Sequence, residues 1–189
     1  PTDPGSHAYG LLTSIVVPRP IAWISTLDAD GVGNLAPHSF FNVACQRPPM
    51  ISFSSVGRKD TLRNVLATEY FVVNLVGEEH AELANASSAP FAPEVDEAQT
   101  LGVRLEPSAV VPVPRVADSP ASIECTLHST LALGDAHLVV GEVRAITVDD
   151  ATLVDGLPTI EALRPVSRLG RDEWGHSPEV FRLQRPRRP

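Results

Sequence analysis

Ile21-Ala22-Trp23-Ile24-Ser25-Thr26-Leu27-Asp28-Ala29-Asp30-Gly31-Val32-Gly33-Asn34-Leu35-Ala36 is the stretch that decides the class of fold. Its first seven residues are rich in β-branched and aromatic side chains and read as a strand. Residues 28–33 are turn chemistry, with Asp30-Gly31 favouring a hairpin. A second strand is expected over residues 34–44, with Pro37 marking an edge or a bulge. By its letters, Gly31-Val32-Gly33-Asn34-Leu35-Ala36 matches the glycine fingerprint of dinucleotide-binding folds. That fingerprint needs a turn that opens a helix. Here the turn joins two strands, and the match is rejected.

Further along the chain the same pattern recurs. Pro48-Pro49 leads into a third strand at residues 50–54, and residues 70–76 read as a buried strand. Two long strands, residues 121–133 and 137–148, meet at Gly134-Asp135. Helical patterns are short, at residues 60 to about 67 and 78–86. Residues 87–120 are rich in Pro, Ala and acidic residues, yet Val103, Leu105, Val110 and Val111 supply apolar anchors for an ordered excursion. Many strands with regular turns and few helices imply an antiparallel sheet closed into a barrel or sandwich. Strictly alternating strand–helix units are absent, which argues against a Rossmann fold.

At 189 residues, with 43% hydrophobic and 20% charged, the chain has the size and composition of one domain with a real core. No apolar run approaches the roughly 20 residues that cross a membrane. The opening segment from Pro1 is polar and carries no apolar signal-like stretch, so a cytoplasmic location is expected. A net charge of -8 argues against nucleic-acid and anionic-membrane partners. The basic tail at residues 184–189 reads as solvated. Cys45 and Cys125 form no CxxC and are expected to be buried, reduced thiols. The histidines form no HxxxH set, so no metal site is expected.

Against this acidic background one basic turn stands out: Ser52-Phe53-Ser54-Ser55-Val56-Gly57-Arg58-Lys59-Asp60-Thr61. It holds the only lysine of the chain. A strand runs into hydroxyls, a glycine and two cations, and then a helix begins. Free N–H groups at a helix start, hydroxyl donors and positive charge are what a bound phosphate needs. On spacing alone, a solvated turn with an ordinary helix cap is an equal reading.

A set of short motifs in a fixed order identifies a family. The sharpest are Arg19-Pro20-Ile21-Ala22-Trp23-Ile24-Ser25-Thr26 and Asn34-Leu35-Ala36-Pro37-His38-Ser39-Phe40-Phe41-Asn42. With them go Arg47-Pro48-Pro49-Met50, Ser54-Ser55-Val56-Gly57-Arg58-Lys59-Asp60-Thr61 and Phe71-Val72-Val73-Asn74-Leu75-Val76. Over residues 9–181 the chain resembles the flavin reductase-like proteins, flavoredoxins included. The resemblance implies a mainly β, FMN-binding split barrel in one domain over residues 1–189, a homodimer, and FMN between barrel and partner subunit. It places Ser54, Ser55, Arg58, Lys59 and Thr61 around the phosphate, and Ser39, Phe40 and Asn42 along the isoalloxazine ring. Arg168 would bring positive charge to the ring, and Trp174 would cover it. No catalytic side chain is identified. Relatives carry Gly-Asp-His at the last hairpin turn, where this chain reads Gly134-Asp135-Ala136-His137. One residue of shift on a strand turns a side chain to the opposite face, so His137 is only a candidate.

The expected activity is an FMN-dependent oxidoreductase, with hydride passing from NAD(P)H to flavin N5 and the electrons passing on to an acceptor. The alternative is an FMN-holding electron carrier or sensor without nicotinamide turnover. A third reading is a split barrel whose pocket takes another ligand. Asn74 is expected in a structural hydrogen bond and Trp23 in the core.

Overall fold

The computed structural model describes residues 7–186, so the last three residues of the basic tail at 184–189 lie outside the described residues. Helix α1 (Ala8–Ile15) precedes a seven-stranded antiparallel sheet. The strands are β1 (Ala22–Leu27), β2 (Gly33–His38), β3 (Phe41–Cys45), β4 (Met50–Val56), β5 (Tyr70–Leu75), β6 (Ala121–Leu133) and β7 (Ala136–Val148). Across the sheet they run β2-β1-β5-β6-β7-β4-β3. Helix α2 (Asp60–Thr68) follows β4, and α3 (Ala81–Ala86) and α4 (Glu97–Leu101) follow β5.

The end strands β2 and β3 are sequence neighbours, separated only by Ser39 and Phe40. A flat sheet would hold them roughly 29 Å apart, at about 4.8 Å per strand spacing. Two connecting residues reach roughly 11 Å at most. The sheet must therefore curl until its ends meet. The Ser54 amide donates to the Phe40 carbonyl at 2.8 Å, carrying the β3–β4 ladder one step past Phe41 and Phe53, but no ladder joins β2 to β3. The fold is the split β-barrel. The single strand expected over residues 34–44 is thus two, broken where the chain steps across the seam. Pro37 sits on the edge strand β2, where its missing N–H costs no ladder bond.

Two cores flank β1. Inside the barrel, Ala22 and Ile24 pack with Phe53, Phe71, Val73, Val139 and Cys125, and α2 closes one end with Leu62 and Val65. Outside, Ile21, Trp23 and Leu35 pack under α3, α4 and the excursion through Ala84, Ala98, Val103 and Val116. Because β1 is covered on both faces, it is buried without alternation from Ala22 through Thr26, and the hydroxyls of Ser25 and Thr26 are hydrogen-bonded inside. β7 kinks past Phe71 at Gly141, where a Cβ would lie 2.3 Å from Phe71 Cζ.

The excursion is held by buried polar groups. The Glu124 carboxylate, with no exposed surface, accepts from the amides of Ala109, Val110 and Val111 at 2.8, 2.8 and 3.1 Å. Asn74 donates to the Trp23 carbonyl and accepts from the Val116 amide and the Ser122 hydroxyl, a structural role. Cys125 is buried, and burial pushes its thiol up to about 12. Cys45, expected to be buried, is only partly so because it ends an edge strand.

Nothing in the sequence reading marks α1. It has no buried residue, and Tyr9, Leu11, Leu12 and Ile15 are all more than half exposed. Buried Arg19 ties its C-terminal end down by donating to the carbonyls of Thr13 and Val16, and also to that of Leu169. No helix among the described residues is long and apolar enough to cross a membrane.

Candidate functional site

A cleft of about 840 Å³ opens where the barrel seam, the start of α2 and the segment after α3 converge. Its size falls in the usual range for small-molecule sites. A second cleft of about 450 Å³ lies on the other side of Ser39, Phe40 and Ser54, which line both. Leu12, Val16, Phe40 and Phe41 make its wall apolar, and its one charged lining residue is Arg19.

One end of the larger cleft is built by the turn from β4 into α2. Gly57 makes that turn at φ +75°, a conformation that strains any side chain. Its amide donates to the Asp135 carbonyl at 2.8 Å. Ser55 Oγ donates to the Gly57 carbonyl at 3.1 Å. Helix α2 then starts at Asp60 with Lys59 as its N-cap and no side chain capping it. The amides of the first turn are left without a side-chain acceptor, at the positive end of the helix. Ser54, Ser55, Lys59 and Thr61 all line this end. The cleft also carries acids. Asp60 is paired with Arg63 at 2.6 Å. Glu97 is buried and accepts from the Leu35 amide at 2.9 Å. Burial raises the Glu97 pKa, and the Leu35 amide works against the shift.

Of the residues read from the sequence, Ser39, Phe40, Ser54, Ser55, Lys59 and Thr61 come together around the larger cleft. Asn42 lines the smaller one, with its side chain turned onto the Val43 amide at 2.8 Å. Arg58 is exposed and lines neither. Arg168 and Trp174 also line neither. They belong to a separate small sheet of Arg19–Pro20, Ser167–Arg168 and Trp174–Gly175. There Arg168 donates to the Glu173 and Arg171 carbonyls and lies 5.4 Å from the Trp174 ring centre. His137 pairs with Ser55 across the β4–β7 ladder and shares the inward face of Val139. Its Nδ1 is buried without a partner, and it lines neither cleft.

The sequence reading missed His38. It reaches across the seam from β2, its ring centre 5.0 Å from that of Phe53, with Nε2 3.2 Å from Thr61 Oγ1. Burial holds its pKa down at about 4. The nearby Ser54 main chain opposes the shift, and the Lys59 charge adds to it. The only signal available was the period of two, which puts Asn34, Ala36 and His38 on one face of a strand. Ser87 and Ser88 also line the cleft, but their hydroxyls are already bonded, to Ala84 and Asn85 carbonyls respectively. Among the described residues no group of three or more His, Cys, Asp or Glu is gathered as a metal site.

Comparison with known proteins agrees with this architecture. The chain is 42% identical over 190 residues to an uncharacterized protein of Halalkalibacterium halodurans, covering 94% of this chain and 90% of that one. Its fold superimposes on nitrilotriacetate monooxygenase component B from Bacillus cereus with a TM-score of 0.92 at 31% identity, covering 96% and 95% of the two chains. It also matches a 2-nitrobenzoate 2-nitroreductase from Pseudomonas fluorescens, with a TM-score of 0.88 at 32% identity and coverage of 95% and 90%. Residues 14–158 match the flavin reductase like domain, a span running from the end of α1 through the whole barrel. The chain belongs to the flavin reductase-like family.

Proposed function

We propose that this protein is an FMN-dependent oxidoreductase that draws electrons from NAD(P)H and works as a homodimer. The observation that carries the reading is the uncapped start of α2, which faces a ligand-sized cleft together with Lys59, Ser54 and Ser55. These donors fit a phosphate dianion, because charge-assisted bonds and a helix N-terminus favour it in a protein of net charge -8. When bound, FMN supplies the redox chemistry by taking up a hydride equivalent and passing the electrons on. The chain's own part is to bind and orient. Lys59 and the first-turn amides would hold the phosphate, and Ser39 and Phe40 lie where the two clefts meet. The apolar wall of Leu12, Val16 and Phe41 would keep water from the ring. No side-chain acid or base is needed for this role, in keeping with the position of His137 away from both clefts.

An absorbance scan tests the reading. Purified protein given FMN is expected to retain it as a yellow complex that NADH or NADPH bleaches without oxygen. A folded protein with no affinity for FMN defeats the proposal. Bleaching by dithionite alone selects an electron carrier.

The dimer is supported by α1, whose Leu11, Leu12 and Ile15 face outward although the helix walls the clefts with Tyr9 and Leu12. A contiguous apolar surface of this kind marks an interface. Leu12→Asp with Ile15→Asp is expected to halve the mass measured by light scattering. A monomeric parent protein would refute this.

A further inference from the structure

Thr61 joins two parts of the molecule at the cleft floor. Its hydroxyl lies 3.1 Å from Asn34 Nδ2 and 3.2 Å from His38 Nε2. The same Asn34 nitrogen donates to Thr26 Oγ1 at 3.2 Å, which uses both of its hydrogens. Thr61 Oγ1 therefore accepts from Asn34. Its single proton is left for His38, since Thr61 is only 1% exposed and water cannot compete. His38 can take that proton only on a bare Nε2. Its ring proton then sits on Nδ1. A directed chain runs from Asn34 through Thr61 to His38, whose ring lies 5.0 Å from that of Phe53, so the first turn of α2 is tied to β2 and set beside β4. The first turn of α2 and the Ser54–Ser55 end of β4 are the two halves of the phosphate cradle.

Resting on the functional reading above, we propose that His38 is a positioning residue for the phosphate end of the ligand. Its Nε2 accepts from Thr61 Oγ1 and so holds the first turn of α2 in register with Ser54 and Ser55. The Thr61 hydroxyl is consumed within the protein, and what it offers a phosphate is its main-chain amide. Such a role differs from simple core filling in one respect: it concerns the phosphate and not the rest of the ligand.

Two measurements decide the matter. NMR of the imidazole nitrogens at neutral pH is expected to show His38 protonated at Nδ1 and bare at Nε2. The opposite tautomer overturns the proposal whatever the ligand does. Second, FMN and riboflavin, which lacks the phosphate, are titrated against His38→Leu and His38→Gln. His38→Leu is expected to weaken FMN about tenfold while riboflavin stays within about twofold, the scale of one hydrogen bond. His38→Gln, which carries an acceptor near the same point, is expected to recover most of the loss. Equal weakening of both flavins, or no recovery in a Gln variant of unchanged melting temperature, overturns the proposal. Parent protein that binds FMN no better than riboflavin overturns the phosphate reading itself. That result is distinct from a variant that leaves the ratio of the two affinities unmoved.

Discussion

Glu124→Ala is expected to destabilise the fold by roughly 3–5 kcal/mol, the largest effect of any single polar substitution proposed for this protein. The carboxylate is wholly buried and accepts from three consecutive excursion amides. Alanine leaves those donors without an acceptor, at about 1–3 kcal/mol for each that stays buried. The loss also frees Val111 and Val113, which cover Val72 on the outside of the barrel. Glu124→Gln keeps one acceptor oxygen and is expected to lose roughly half as much. Urea denaturation of the three proteins measures this. A shift below about 1 kcal/mol for the alanine variant would show that water replaces the carboxylate there.

Lys59→Ala is expected to raise the Kd for FMN by about 10- to 100-fold, the worth of one charge-assisted contact. Riboflavin affinity should hardly change, because the lost contact is to the phosphate. Arg58→Ala is expected to cost less than about threefold, since that side chain is exposed and lines neither cleft. Fluorescence titration at two salt concentrations checks both, because screening weakens the lysine contact in the parent and not in the variant. If Arg58 proves the stronger contributor, the ligand lies outside the turn and not within it.

The barrel was legible where its physics is local. The β1–β2 hairpin, the buried strand β5 and the β6–β7 hairpin all follow from composition and turn residues. The Ser39–Phe40 break was not legible, because no glycine or proline marks it. It arises from the meeting of strands at opposite ends of the sheet, a fact of closure that no local window contains. Helix α1 escaped for a different reason. Its apolar residues bury nothing within the chain, so no amphipathic contrast announces it.

The candidate site divides along the same line. The turn carrying Ser54, Ser55, Lys59 and Thr61 is contiguous, and its chemistry can be read from the letters. His38 and Asn34 touch Thr61 from 23 and 27 residues away, through a contact that exists only once the barrel is closed. Arg168 and Trp174 rested on resemblance, and in this chain they pair with each other and with their own turn.

The seam has one last implication. Its walls belong to β2, β4 and α2, and across it His38 meets Thr61 and lies against the Phe53 ring. A molecule lodged in the gap would act as a rivet through all three. Occupancy and wall rigidity are then a single linked equilibrium: whatever tightens the seam raises affinity, and whatever fills it slows the parting of the barrel's two ends.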